Sequence, residues 1–148
     1  MDFVFMLTRN DVTVENALDL VEIARALGLK HIGFKDVGAD AGTLRRLTAA
    51  IREAGAAPWM EIVATSREKE LHAVELGRDL GVEMLMGGVH VEDALKILDG
   101  TTTRYLPFAG LPSGHPTRLG AQGRGAMPGL RETRLRRRRH SRLSRDRG

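Results

Sequence analysis

The sequence predicts an α/β protein built on a parallel sheet, and two observations carry that prediction. Short apolar runs begin near residues 3, 31, 59, 82 and 105, and a stretch with helical spacing of apolar residues lies between each consecutive pair. Strict alternation of strands with helices is typical of a parallel sheet. Because the crossovers of such a sheet are right-handed, the carboxyl ends of all five strands are expected at one edge.

The five predicted strands are short and almost wholly apolar. A continuous apolar run, rather than an alternating one, is typical of a strand that is covered on both faces. Three charged residues interrupt these runs: Lys35 at the end of the second, Glu61 inside the third and Glu83 in the fourth. In chain order the predicted strands cover Phe3–Leu7, His31–Lys35, Trp59–Val63, Val82–Met86 and Tyr105–Phe108.

Capping residues and glycines delimit the helices between the strands. Thr13 has the residue type of an N-cap for a helix over Val14–Leu27, and Thr65 with Glu68 has the spacing of a capping box for the third helix. A glycine after the last turn suits the left-handed conformation that ends many helices. The first helix ends at Gly28, the second opens at residues 38–40 and ends at Gly55, the third ends at Gly81, and a short fourth covers Val91–Leu98.

The size of the units distinguishes two kinds of parallel sheet. A barrel of eight (β/α) units uses about 30 residues per unit, since it takes ~250 residues for eight. The predicted strands start 23 to 28 residues apart, and the first βα turn carries neither the G-x-G-x-x-G nor the Walker pattern of nucleotide-binding sheets. The sequence therefore favours an incomplete barrel of about five strands over residues 1–120, with no cofactor.

Charge divides the chain into two parts. The 148 residues have a net charge of +4, but residues 1–120 are acidic at −4 and residues 121–148 are basic at +8. Residues 121–148 contain ten Arg and no Lys, and no further strand can be drawn there. Three interpretations compete: a disordered basic arm that binds nucleic acid, a solvated tail, and the product of a frameshift in a GC-rich gene. The absence of Lys and of aromatic residues favours the frameshift over a nucleic-acid partner.

Several function classes are excluded or disfavoured by composition. The chain has no cysteine, which excludes a disulfide scaffold, a thiolate zinc site and a cysteine nucleophile. No apolar stretch approaches the ~18 residues of a membrane span, and no basic targeting segment opens the chain, so we expect a cytoplasmic protein without a membrane partner. No histidine or carboxylate motif predicts a metal site. His31 and His72 are interpreted as structural, and His90 as a surface residue at a helix start.

In a barrel the reactive residues follow the strands at the carboxyl edge. Lys35 and Asp36 are the strongest candidates for catalytic residues there. Neighbouring residues of a strand point to opposite faces, so only one of the two can point into the barrel. Lys35 would act as a Schiff-base nucleophile, as a proton shuttle, or as a charge that binds an anion; a salt-bridged pair on the rim is the structural alternative. A contact between Lys35 and Glu61 would satisfy both charges, either as an acid/base pair or as a purely structural ion pair.

Four further residues are candidates for substrate binding. Arg9 and Asp11 follow the first strand, where Arg would bind an anionic substrate and Asp11 would alternatively cap the first helix. His115 and Arg118 lie in the run Ser113–Arg118, which combines nucleophilic and anion-binding residue types with the Pro and Gly of an ordinary loop.

The order of the predicted strands, helices and polar motifs resembles that of the ribulose-phosphate-binding branch of TIM barrels. The resemblance covers residues 2–120 and is carried by the runs His31–Gly38 (H-I-G-F-K-D-V-G) and Gly114–Gly120 (G-H-P-T-R-L-G). It implies an isomerase, epimerase or lyase acting on a small anionic carbohydrate or oxo acid, with Lys35, Asp36 and Glu61 as acid/base residues. In that branch loops after strands 7 and 8 hold the phosphate, and the resemblance implies that this chain lacks them.

A second resemblance is to aldolases of the dihydrodipicolinate-synthase type. The run Gly33-Phe34-Lys35-Asp36 is similar to the strand that supplies their Schiff-base lysine, although that strand comes late in the aldolase barrel and second here. A barrel removes its sheet edges only when it closes. An incomplete barrel is therefore expected to form a homodimer, or to be a non-catalytic unit that needs a partner.

Overall fold

The computed structural model describes residues 3–64, 66–110, 112–113 and 118–119. Within those ranges the strands are β1 (Phe5–Met6), β2 (Thr8–Arg9), β3 (Val12–Thr13), β4 (His31–Lys35), β5 (Ala57–Glu61), β6 (Met84–Met86), β7 (Arg104–Leu106), β8 (Pro112–Ser113) and β9 (Arg118–Leu119). The helices are α1 (Ala17–Ala26), α2 (Ala41–Glu53), α3 (Arg67–Leu80) and α4 (Val91–Ile97). None of these helices is long and apolar enough to cross a membrane.

Five strands form one parallel sheet in the order β1-β4-β5-β6-β7, which is also their order along the chain. The register of β4 against β5 runs from His31 opposite Ala57 to Lys35 opposite Glu61. The helices contact one another in the same sequence, α1 with α2, α2 with α3, and α3 with α4. The predicted α/β class with parallel strands is therefore confirmed.

The core lies between the sheet and the helices. Met60 and Leu85 are register partners in β5 and β6, and both are fully buried. Gly77 of α3 lies directly over them, since a Cβ at that position would be 2.9 Å from Leu85 and 3.1 Å from Met60. Side chains alternate along a strand, so the neighbours of these core residues lie on the opposite face of the sheet. That opposite face carries His31, Lys35, Trp59, Glu61, Met84, Met86 and Leu106.

The first unit differs from its prediction. Where the sequence predicts a loop and an N-cap at Thr13, β2 and β3 form an antiparallel hairpin that turns through Asn10 and Asp11. Those two residues have φ of 51° and 67°, the positive values that a two-residue hairpin turn requires and that Asn and Asp tolerate. The predicted cap at Thr13 is wrong, because Thr13 belongs to β3 and α1 begins four residues after it, at Ala17, with Asn16 in the N-cap position.

The remaining units follow their predictions to within a few residues. The side chain of Asp40 accepts a hydrogen bond from the Thr43 N–H at 3.0 Å and so caps α2. Ser66 caps α3, because its hydroxyl accepts a hydrogen bond from the Lys69 N–H. Strand β5 begins two residues earlier than predicted, which moves Glu61 from its interior to its last position. The predictions for Thr65, His115 and residues 121–148 lie outside the described residues.

Candidate functional site

Charged side chains gather where β4 and β5 end, at the carboxyl edge of the sheet. Lys35 and Glu61 are the last residues of the two strands and face each other in the register. The Lys35 amine lies 3.4 Å from a carboxylate oxygen of Glu61 and also bonds to the carboxylate of Asp11. The predicted contact between Lys35 and Glu61 is present, and these three residues are called the Lys35 cluster below.

The β2–β3 hairpin brings Asp11 to this edge. The Thr13 hydroxyl accepts a hydrogen bond from the Lys35 N–H at 2.8 Å and donates one to the Lys35 carbonyl at 2.9 Å. The Thr13 N–H donates to the Val37 carbonyl at 2.9 Å. A Cβ on Gly38, whose φ is 93°, would meet the Thr13 carbonyl, so the hairpin lies directly on the turn after β4. Asp11 therefore pairs with Lys35, and the alternative that it caps the first helix is wrong.

Burial explains why the Lys35 amine needs partners. Its side chain is 9 % exposed, against 16 % for Asp11 and 24 % for Glu61. A lysine is almost never buried unless its charge is paired. Two carboxylates face one ammonium, so the cluster carries surplus negative charge. Lys35 is the least exposed member of the cluster and Glu61 the most exposed, and Oδ2 of Asp11 is buried.

Asp36 points away from the Lys35 amine, as the alternation of side chains along a strand requires. Its carboxylate accepts a hydrogen bond from the Val63 N–H at 2.8 Å. Burial raises the pKa of Asp36, and the hydrogen bond from Val63 opposes that rise. Asp36 thus fixes the chain after β5 to the end of β4, and only Lys35 of the predicted pair joins the cluster.

Of the other three predicted binding residues, two lie within the described residues. Arg9 is exposed in β2, two residues before Asp11. Arg118 lies in β9, opposite Ser113 of β8 in an antiparallel pair. His115 lies outside the described residues, so the predicted grouping of these three residues remains a prediction.

A second group of polar residues follows β6 at the same edge, and none of its members is among the site residues predicted from the sequence. Glu70, in the first turn of α3, is 4 % exposed. One of its carboxylate oxygens accepts hydrogen bonds from the N–H groups of Val89 and His90 at 2.8 and 2.7 Å. The other lies 2.8 Å from Nδ1 of His90. Glu70 and His90 are called the Glu70–His90 pair below.

Glycines allow the chain after β6 to approach this carboxylate. Gly87 and Gly88 have φ of 91° and 79°, and a Cβ on Gly88 would lie 2.6 Å from Glu70 and 2.8 Å from the hydroxyl of Tyr105. That buried hydroxyl has no hydrogen-bond partner among the described residues. Burial, together with the charge of Glu70, raises the pKa of Tyr105 well above its usual range. The phenol therefore stays protonated beside the carboxylate.

One sequence pattern points to Glu70. The buried face of α3 is formed by residues spaced three and four apart, and Glu70 occupies its first position, ahead of Ala73, Val74, Gly77 and Leu80. A carboxylate on the apolar face of a helix is costly unless it has partners. His90 was interpreted as a surface residue, whereas its ring is bonded to a buried carboxylate.

The chain matches no known family model, and a comparison with curated proteins finds no match. Among the described residues there is no group of three histidines or carboxylates that could hold a metal ion.

Proposed function

We propose that this chain is the amino-terminal part of a TIM-barrel enzyme of the sugar-phosphate type, an isomerase, epimerase or lyase acting on a small anionic carbohydrate or oxo acid. The observation that carries the proposal is the buried Lys35 amine between two carboxylates at the carboxyl edge of a parallel sheet. Reactive groups of (β/α) barrels lie at that edge. The sheet order, which follows the chain order, supports a barrel segment over a doubly wound sheet, where the order reverses.

Isomerases and epimerases of this kind share one step, the removal of a proton from a carbon next to a carbonyl. Glu61 would accept that proton, because it is the most exposed member of the Lys35 cluster, whereas Oδ2 of Asp11 is buried. The Lys35 ammonium would stabilise the negative charge that develops on the carbonyl oxygen. Arg9, exposed two residues before Asp11, would bind the anionic group of the substrate.

Deuterium exchange tests this step without knowledge of the final product. The full chain is incubated in D₂O with a panel of aldose phosphates, ketose phosphates and 2-oxo acids, and deuterium at the carbon next to the carbonyl is measured by NMR. We expect exchange with at least one substrate class. We expect Lys35→Met and Glu61→Gln to slow it by about 10²-fold or more, the usual contribution of a positioned acid or base.

Matched surface substitutions serve as controls. Lys96→Met and Glu53→Gln make the same chemical changes at exposed helix positions, and both should leave the exchange rate unchanged. Exchange that is absent with every substrate, or that survives in Lys35→Met, would overturn the proposed function.

A Schiff-base aldolase is the alternative for the same lysine. A nucleophilic lysine is activated by an apolar pocket or by a neighbouring cation, whereas the Lys35 amine contacts two carboxylates. The contacts therefore favour the electrostatic role. Borohydride reduction in the presence of pyruvate distinguishes the two, because only a Schiff base leaves a stable mass increase on the peptide that contains Lys35.

A non-catalytic homodimer is the alternative from another class. The sheet face opposite the helices carries Trp59, Met86 and Leu106, which retain partial exposure, and β1 and β7 are the edges of the five-stranded sheet. A second copy of the chain that covered this face would bury both the apolar side chains and the edges. Light scattering on the purified chain tests this, since a monomer that unfolds cooperatively would contradict dimerisation.

A further inference from the structure

We propose that His90 is a second proton-transfer residue at this edge of the sheet, with Glu70 as the positioning residue that leaves Nε2 of the imidazole as the proton acceptor. The proposal rests on the proposed function, since it adds a group to the same active edge. It is carried by the three hydrogen bonds around the Glu70 carboxylate and by the different exposure of the two residues.

The hydrogen bonds determine which ring nitrogen carries the proton. A carboxylate oxygen accepts hydrogen bonds, so the Nδ1 atom that lies 2.8 Å from Glu70 is the protonated nitrogen of the neutral ring. In neutral imidazole the other nitrogen then has a free lone pair. Glu70 is itself held in place by the N–H groups of Val89 and His90. The ring orientation is thus fixed by a carboxylate that is fixed by the backbone.

Exposure is divided as a proton-transfer pair requires. The Glu70 side chain is 5 % exposed and the His90 side chain 34 % exposed. Since Nδ1 faces the buried carboxylate, we infer that the accessible part of the ring is the Nε2 side. The arrangement has the geometry of a base oriented by a third group, which is found with histidine bases generally.

The location places the pair on the same edge as the Lys35 cluster. Met86, the last residue of β6, lies opposite Glu61 in the register, and His90 follows four residues later. The Lys35 cluster lies at the ends of β4 and β5, and the pair follows β6, which is the next strand of the sheet. Neighbouring strands lie about 4.8 Å apart. A salt bridge of 2.7 Å between Arg67 and Asp93 also joins α3 to α4, the two helices that carry or follow the pair.

The chemical step is a proton transfer and needs no other reagent. An X–H bond of the substrate breaks, its electron pair stays on the substrate, and the proton moves to Nε2 of His90. The resulting imidazolium retains its Nδ1 proton and is balanced by the Glu70 carboxylate. The same proton is returned from Nε2 to a different substrate atom, which completes an isomerisation.

Glu70→Gln tests the proposal directly, because it keeps the shape of the side chain at position 70 and should reverse the tautomer of the His90 imidazole. The amide oxygen is expected to remain on the two backbone N–H donors, so the amide NH₂ faces Nδ1 and donates to it. The imidazole must then carry its proton on Nε2. Nitrogen NMR of the full chain labelled with ¹⁵N-histidine reads this directly, and the His90 signal is assigned by its loss in His90→Gln.

In the parent protein we expect His90 to be protonated on Nδ1 when the ring is neutral, and in Glu70→Gln on Nε2. The signal of His72, an exposed histidine on α3, should be the same in both proteins and serves as the internal control. An Nε2–H tautomer in the parent, or a tautomer that does not change in Glu70→Gln, would overturn the proposal.

Acylation by diethyl pyrocarbonate gives a second readout. Nε2 of His90 is expected to react in the parent, and Glu70→Gln should slow that reaction roughly tenfold or more, because Nε2 of the neutral ring then carries the proton and has no free lone pair. The rate at His72, measured in the same digest by mass spectrometry, should not change. A uniform change at both histidines, or none at His90, would contradict the proposal.

Deuterium exchange separates this inference from the proposed function. We expect His90→Gln to lower the exchange rate by about 10²-fold. Glu70→Gln should lower it by roughly tenfold or more, because the ring is then held in the wrong tautomer. Exchange that is lost in Lys35→Met but unchanged in His90→Gln would overturn the role of His90 alone. Exchange unchanged in Lys35→Met would overturn the proposed function, whereas the tautomer of His90 is measured without any substrate.

Discussion

The two polar groups at the carboxyl edge of the sheet stabilise buried charges of opposite sign, and they do so with different kinds of partner. In the Lys35 cluster the buried charge is a cation, and its partners are two more accessible carboxylates. In the Glu70–His90 pair the buried charge is a carboxylate, and its partners are two backbone N–H groups and an imidazole. The first group has a surplus of negative charge, whereas the second is satisfied by neutral donors.

This difference indicates how each group can act. The position of a cation that is held by side chains depends on the positions of those side chains. Here the hairpin supplies one of the two carboxylates and the end of β5 supplies the other. A carboxylate held by backbone N–H groups is fixed by the fold itself. We therefore expect the Lys35 cluster to be the more sensitive of the two to the loss of its central residue.

The largest loss of stability is expected from Lys35→Met. The substitution leaves Asp11 and Glu61 side by side without the cation, and breaking a buried ion pair costs about 3 to 5 kcal/mol. Because both carboxylates keep partial contact with water, we expect a decrease near the lower limit, about 3 kcal/mol in the free energy of unfolding. Urea denaturation measures it.

Lys96→Met is the matched control for this prediction, because Lys96 forms an exposed helical ion pair with Asp93 at 3.6 Å. Such a pair contributes about 0.3 to 0.5 kcal/mol. The double variant Lys35→Met/Glu61→Gln should recover part of the loss, since one of the two like charges is gone. Equal effects of Lys35→Met and Lys96→Met would show that the cluster does not depend on its cation.

A smaller loss is expected at Glu70, and its size depends on the replacement. Glu70→Ala leaves the N–H groups of Val89 and His90 and the Nδ1–H of His90 without an acceptor, at a cost of about 2 to 3 kcal/mol. Glu70→Gln keeps an acceptor for the backbone and should cost less than about 1 kcal/mol. Urea denaturation of the two variants tests this, and an equal loss in both would contradict the view that backbone donors fix the carboxylate.

Much of this architecture can be predicted from local patterns. The continuous apolar runs predict strands, and His31–Lys35 matches β4 residue for residue. The contact between Lys35 and Glu61 is also predicted, from the need of two buried opposite charges to pair. Their register is not predicted, because the sequence places Glu61 inside its strand and the structure places it at the end of β5. The hairpin cannot be predicted in this way. Thr13 has the residue type of a helix cap. In the structure its hydroxyl bonds instead to the backbone of Lys35, which lies 22 residues away and is brought beside it only by the fold.

The Glu70–His90 pair shows a second limit of the sequence. Its members are 20 residues apart, in α3 and in the chain after β6. Periodicity identifies Glu70 as a charged residue on an apolar helix face, but it does not identify the donors that satisfy the charge. Those donors are mainly backbone N–H groups, which are present at nearly every position of a chain and therefore leave no mark in the sequence.

The smallest effect concerns pH and distinguishes Asp36 from Asp40 at the two ends of the same loop. Burial raises the pKa of Asp36 above the ordinary 3.8, so between the two values the folded protein binds more protons than the unfolded chain. Its contribution to stability is then present below pH 3.8 and is lost as the pH rises through the folded pKa. Asp36→Asn keeps an acceptor for Val63, and its stability relative to the parent should rise over that interval.

Asp40 is the control with the opposite sign. Hydrogen bonds from the backbone and hydroxyl of Thr43 lower the pKa of Asp40, so its contribution is present above pH 3.8 and is lost as the pH falls through the folded pKa. Stability of Asp40→Asn relative to the parent should therefore fall as the pH rises over that interval. Urea denaturation of both variants across the acidic range measures the two trends. Trends of the same sign would mean that burial does not govern Asp36, and that the end of β4 is more open to water than the contact with Val63 implies.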